Sequence, residues 1–335
     1  MKRSHHNIRS GQRGFTLTEL LVAISITIVM VGLMLTVVTN TLNVWNRTTG
    51  DLSAENQARQ IMELVAQDLQ AAVLRADNNV WIAATVQVAG INGNATNESW
   101  TIGAPKPADT SLDLAPALGE VDDRFEDTRF GQAGIWLRLF TNSRETGATT
   151  EINGPRAVSY QIARRRPSAD TANPFVYQLF RSRVSHQATF DTGYDLFDPV
   201  YNETSANSAT APAAIRKPNA NYLLANNVID FGVRFLRPDS AGTGWEVLFP
   251  QQATDLGFAA SADTTKFPTG GSHNTSNFRH GFPTAADIYV RILTSEGVRL
   301  ITALENGDID GDWWQIAEQH SQVFTRRVSI PSRPN

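Results

Sequence analysis

The stretch "RGFTLTELLVAISITIVMVGLMLTVV" runs from Arg13 to Val38. From Leu20 to Val38 no residue is charged, and the polar ones are Ser25, Thr27 and Thr36. At the rise of an α-helix this run covers about 28 Å, close to the hydrocarbon thickness of a bilayer. Lys2, Arg3, Arg9 and Arg13 precede it without any acidic residue, which by the positive-inside rule keeps the N-terminus cytoplasmic. An ordinary secretory signal has a shorter apolar region and a small-x-small cleavage site, whereas here "TNTLNVW" follows the run. One carboxylate, Glu19, stands at the mouth of the run. Thr16-Leu17-Thr18-Glu19 fits a T-x-x-E capping box with Glu19 at the third helical position, where the helix dipole also favours a negative charge.

The 335 residues suffice for one large domain or two modest ones, and 41% hydrophobic content is near the globular average. Formal net charge is -4; setting aside the four basic residues before the apolar run leaves 25 basic against 33 acidic residues. That acidic balance argues against a general nucleic-acid binder. There is no cysteine, so disulfides and thiolate metal sites are excluded and an extracytoplasmic domain rests on its core alone.

"GFTLTELLVAISI" resembles the cleavage and methylation site of type IV prepilins and type II secretion pseudopilins. The resemblance implies that a membrane aspartyl peptidase cuts between Gly14 and Phe15 and methylates Phe15 as the new N-terminus. It also implies that Glu19 meets the terminal amine of an adjacent subunit during assembly. Glycine resists helix and lacks a side chain, so the bond before the helix is open to a protease. Cleavage there removes the basic leader and keeps the membrane helix. A simple membrane anchor is the plainer alternative.

The helix is expected to continue past Val38. Ile61, Val65, Leu69, Ala72 and Ala76 recur at spacings of four and three, one apolar helical face, and Gly50 is a candidate bend. After Asp77 the period changes to two. Strands are expected in "VWIAATVQVA", "GIWLRLF", "AVSYQIARR", "FVYQLFRSRV", "VIDFGVRF", "GWEVLF", "DIYVRIL" and "VFTRRVSI", in antiparallel sheets with one face on the core. Three stretches rich in Ala, Asn, Ser, Thr, Gly and Pro, roughly 90–128, 185–218 and 250–284, read as long surface insertions. The expected architecture is α+β and pilin-like, a long N-terminal transmembrane and amphipathic helix packed on antiparallel sheet with long loop insertions. Its parts are a leader over 1–14, a membrane section over 15–38, an amphipathic continuation over 39–76 and an extracytoplasmic sheet domain over 77–335. "LLANNVIDFGVRFL", "GWEVLF" and "FPTAADIYVRIL" resemble the sheet of J-type minor pseudopilins and the related W-type minor pilins. The tail "AEQHSQVFTRRVSIPS" resembles long prepilin-like proteins of verrucomicrobial gene cassettes.

No phosphate-binding loop, H-E-x-x-H or G-x-S-x-G pattern occurs, and His186, His273, His280 and His320 lack ligand-like spacing. Arg164, Arg165, Arg166, Arg181 and Arg183 suggest either a basic stripe for phosphates or a solvated strand end. In "ENGDIDGDWW", Asn306, Asp308, Asp310 and Gly311 match the first half of a Ca²⁺ loop, with Asp312 a further candidate ligand, but the twelfth position is Ala317. The competing reading is a helix-ending Asn306-Gly307 turn followed by an Asp N-cap for "WWQIAEQH".

The chain is therefore expected to be a structural minor pilin or pseudopilin rather than an enzyme. Its expected partners are prepilin peptidase, other pilins, inner-membrane lipid and secreted cargo. It would cross the inner membrane once, with its C-terminal domain periplasmic, and enter an extracytoplasmic filament. The alternative is a membrane-tethered module binding cargo, polysaccharide or DNA.

Overall fold

The computed structural model describes residues 16–86, 135–142, 154–165, 176–202, 210–216, 218, 220–251, 255, 257–266 and 278–330. The chain divides into two compact units, residues 1–49 and 50–335. One helix, α1 (Leu17–Gln70), contributes to both. In the first unit its described side chains are exposed, and in the second it is a core element. There Ala54, Ala58, Ile61, Met62, Val65, Ala66 and Leu69 are buried, the stripe that a 3.6-residue period produces. Gly50 does not interrupt the helix. It is buried, and a Cβ there would lie 3.3 Å from Ser295 Oγ.

The helix ends at Gln70, short of the expected Ala76. Ala72 and Ala76 fit the helical period, but the backbone here finds other partners. Asn142 N donates to Ala71 O at 3.0 Å, and Val73 N donates to Phe140 O at 2.9 Å. Pairing with the end of a strand satisfies these groups as well as another helical turn would.

Eleven strands follow among the described residues, and all eight expected ones are present. β1 (Ile82–Val86), β2 (Ile135–Thr141), β3 (Arg156–Arg165), β4 (Val176–Arg183), β5 (Leu223–Asn226), β8 (Gly257–Ala260) and β9 (Phe278–His280) form one sheet, ordered β5-β4-β3-β2-β1-β8-β9. β6 (Val228–Pro238), β7 (Trp245–Phe249), β10 (Ala285–Leu293) and β11 (Ser321–Ser329) form the second, ordered β11-β10-β6-β7. The arrangement is α+β, and pairing is antiparallel as expected, with one parallel pair, β8 with β9, at a sheet edge. The core lies between α1 and the two sheets. Tyr160 of β3 stacks on Phe231 of β6 with centroids 6.0 Å apart, and Phe258 of β8 packs on Phe235 at 4.6 Å.

Two of the expected surface insertions are part of the fold. The described residues of 185–218 form α2 (His186–Thr192) and short 3₁₀ segments at Pro199–Asn202 and Ala211–Ile215. They bury Leu196, Phe197, Tyr201 and Ile215. The 250–284 stretch supplies β8 and β9. "GFAA" carries no alternation, and Gly257 is needed because a Cβ would meet the Phe278 ring at 2.3 Å. The 90–128 stretch lies outside the described residues. After β10 come α3 (Ser295–Glu305) and α4 (Trp313–Gln319).

Candidate processing and assembly site

Gly14 and Phe15 lie outside the described residues; Thr16 and Glu19 lie within them. The capping box forms as the spacing requires. Glu19 N donates to Thr16 Oγ1 at 3.3 Å, and the Glu19 carboxylate reaches back to accept from Thr16 N at 3.0 Å and Thr16 Oγ1 at 2.8 Å. Both bonds to the carboxylate use Oε2. Oε1 accepts no hydrogen bond among the described residues, so capping leaves half the carboxylate available to a cation.

The helix behind it suits lipid. Leu17–Leu42 is the one helix among the described residues long and apolar enough to cross a membrane, and none of it is buried. Its hydroxyls are internally satisfied. Ser25 donates to Leu21 O at 2.8 Å, Thr27 to Ala23 O at 2.8 Å, Thr36 to Gly32 O at 2.9 Å and Thr41 to Val37 O at 2.8 Å. In hydrocarbon an unpaired hydroxyl would cost several kcal/mol, roughly the value for any unsatisfied polar group. This compensation is legible from Ser and Thr inside a helical run, where the carbonyl four residues back has a second lone pair to accept the hydroxyl.

A second polar centre was not visible in the sequence. Asp68, on the buried face of α1, accepts from Tyr160 Oη at 2.5 Å and from Arg181 Nε and Nη2 at 2.9 and 3.0 Å. Arg181 Nε also reaches Tyr160 Oη at 3.0 Å. Burial, followed by the negative charge of Asp68, holds the Tyr160 phenol well above its ordinary range. Burial opposes the Arg181 charge, but the hydrogen bond to Asp68 and neighbouring charges raise it above its ordinary value. The basic stripe therefore loses a member: Arg181 faces the core and pins α1, while Arg183 is exposed. Arg166 lies outside the described residues.

Around Asn306 the backbone makes a helix stop. Gly307 has φ +79°, Gly307 N donates to Leu304 O at 3.0 Å and Asp308 N to Ala303 O at 2.8 Å, the paired bonds of a Schellman motif. Asp312 then caps α4 by accepting from Gln315 N at 2.6 Å. Asp308 and Asp310 are exposed, and no three His, Cys, Asp or Glu among the described residues gather as a metal site. His273 lies outside the described residues, and His186 bonds the Pro155 carbonyl at 3.1 Å.

Comparison with curated proteins and with solved structures gives no match. Residues 9–35, which include Gly14, Phe15, Glu19 and Leu17–Leu35 of the 26-residue membrane-length stretch Leu17–Leu42, match the family model of the prokaryotic N-terminal methylation motif.

Proposed function

We propose that the chain is a structural minor pilin or pseudopilin subunit. Prepilin peptidase cuts it between Gly14 and Phe15 and methylates Phe15. The mature chain then enters a type II secretion pseudopilus or a type IV pilus-like filament alongside other pilins. The observation that carries this reading is one of register. The methylation motif, the capping-box carboxylate and an unburied, hydroxyl-satisfied apolar helix follow one another without a gap. In this reading the basic leader stays cytoplasmic, Leu17–Leu42 crosses the inner membrane and the sheets lie outside it.

Glu19 links the geometry to assembly. A carboxylate costs roughly 2.5–3.5 kcal/mol at the centre of a membrane helix by insertion scales, and near the mouth, where Glu19 stands, it still favours a partner. The Thr16 cap satisfies Oε2. Oε1 remains for an ammonium, and the newly cut amine of Phe15 on a neighbouring subunit supplies one. Glu19→Ala is thus expected to leave insertion, cleavage and fold intact but to reduce cross-linking to partner pilins, with Glu19→Gln behaving similarly. The comparison is made at equal levels of mature protein. Undiminished cross-linking in both variants would leave Glu19 as a capping residue and remove the pairing role.

A further inference from the structure

One face of the seven-stranded sheet is both buried and polar. Strand register places Thr85, Trp136, Arg138, Ser159, Gln161 and Ser182 on it, opposite the face that carries Leu137, Tyr160 and Leu179. Three of these side chains grip one short segment. Trp136 Nε1 at 3.1 Å, Ser159 Oγ at 2.8 Å and Gln161 Nε2 at 3.3 Å all donate to the Ile215 carbonyl. Gln161 Nε2 also reaches the Arg216 carbonyl at 3.3 Å. The grip fixes the end of the Ala211–Ile215 segment and so fixes where Arg216 stands.

Arg216 is 3% exposed, and its guanidinium carbon lies 4.5 Å from the Trp136 ring centroid. The guanidinium carbon of Arg138, itself fully buried, lies 3.6 Å from the same centroid. Arg138 donates to Thr85 Oγ1 at 2.6 Å. Arg216 Nη1 has no hydrogen-bond partner, and Arg216 makes no ion pair among the described residues. Burial pulls Arg216 down to about 10, and burial with the charge of Arg216 also lowers Arg138. Arg216 therefore keeps its proton at neutral pH. The ring face compensates a guanidinium only in part, because cation–π attraction is weaker than the desolvation of an ion.

We propose that Arg216 forms a binding site for a small oxyanion, received by its Nη1 and seated beside the Trp136 platform. Phosphate and carboxylate both present oxygens that match a guanidinium fork. Trp136, Ser159 and Gln161 are positioning residues, since they hold the backbone of residues 215 and 216 rather than the anion.

The test is thermal unfolding of the full chain in detergent micelles, titrated with phosphate or with acetate against chloride at matched ionic strength and pH. Selective binding to the folded state gives a saturable rise in Tm, and the anion that produces it identifies the source. Arg216→Met is expected to abolish the rise and, in chloride alone, to melt no lower than the parent, because it removes a buried charge that lacks a carboxylate. Arg216→Lys keeps the charge but loses the fork and should raise the anion midpoint at least ten-fold. The site is overturned by a Tm insensitive to both anions. It is equally overturned by a rise that persists in Arg216→Met, or by an Arg216→Lys midpoint equal to that of the parent.

Discussion

Asp68→Asn probes the contact that locks α1 to the sheet. Asp68 is 1% exposed and its two oxygens engage Arg181 and Tyr160 at 2.5–3.0 Å. Removing one side of a buried, hydrogen-bonded ion pair strands the other charge, at a cost of about 3–5 kcal/mol. Asn keeps the shape and one acceptor oxygen, so a loss of about 3 kcal/mol is expected. Arg181→Met strands Asp68 instead and should cost a similar amount. The pair Asp68→Leu with Arg181→Met removes both charges and leaves mainly the Tyr160 hydroxyl unpaired, worth about 1–3 kcal/mol. The double variant should therefore be at least as stable as Arg181→Met. Urea unfolding of the full chain in detergent, followed by tryptophan fluorescence, measures all three. An Asp68→Asn loss below about 1 kcal/mol, or a double variant less stable than Arg181→Met, would refute the reasoning. The same centre has a pH signature. A raised phenol pKa gives stability that is whole below about pH 10, the unfolded value, and that is lost as pH climbs through the folded value. Tyr160→Phe should flatten that alkaline limb.

Gly297→Ala, a change that helps an ordinary helix by about 1 kcal/mol, should here destabilise. The new Cβ would lie 2.4 Å from the His320 carbonyl oxygen, and that backbone atom cannot swing aside, so a lower Tm is expected. Millimolar Ca²⁺ is expected to leave Tm unchanged, because Asp312 is committed to capping α4. A rise that Asp308→Ala and Asp310→Ala both remove would restore the calcium reading of the Asn306–Asp312 loop. A chain beginning at Gly50 keeps the buried α1 stripe and every described strand, so it should be soluble and unfold cooperatively with mixed α and β circular dichroism. Aggregation with low ellipticity would count against the architecture.

What was legible in the sequence is what local pattern encodes. The T-x-x-E box lies within one turn, so its reciprocal bonds follow from spacing, and β2, β3, β6 and β10 announce themselves by alternating large apolar residues. The Asn306-Gly307 stop and Asp312 cap are local in the same sense. What was hidden depends on distant partners. Asp68 meets Tyr160 across 92 positions and Arg181 across 113, so Arg181 looked like one more surface cation. β8 and β9 are short and low in pattern, and become strands only because β1 offers an edge to which β8 pairs. The 185–218 insertion looked like loop because its apolar residues are sparse; Leu196, Tyr201 and Ile215 pack singly over the sheet rather than forming a core of their own. α1 stopped early because strand-end carbonyl and amide groups competed successfully for its last residues.

The most direct test of the central claim is the N-terminus of the mature chain. The protein is recovered from membranes of cells carrying a prepilin peptidase, and intact mass and N-terminal sequencing are read together. The account predicts a chain that begins at Phe15, bears one methyl group on its amine and retains the whole Leu17–Leu42 helix, with Gly14→Val leaving the leader attached. A mature terminus beyond Val38, or an uncut chain beginning at Met1 in the presence of active peptidase, would contradict it.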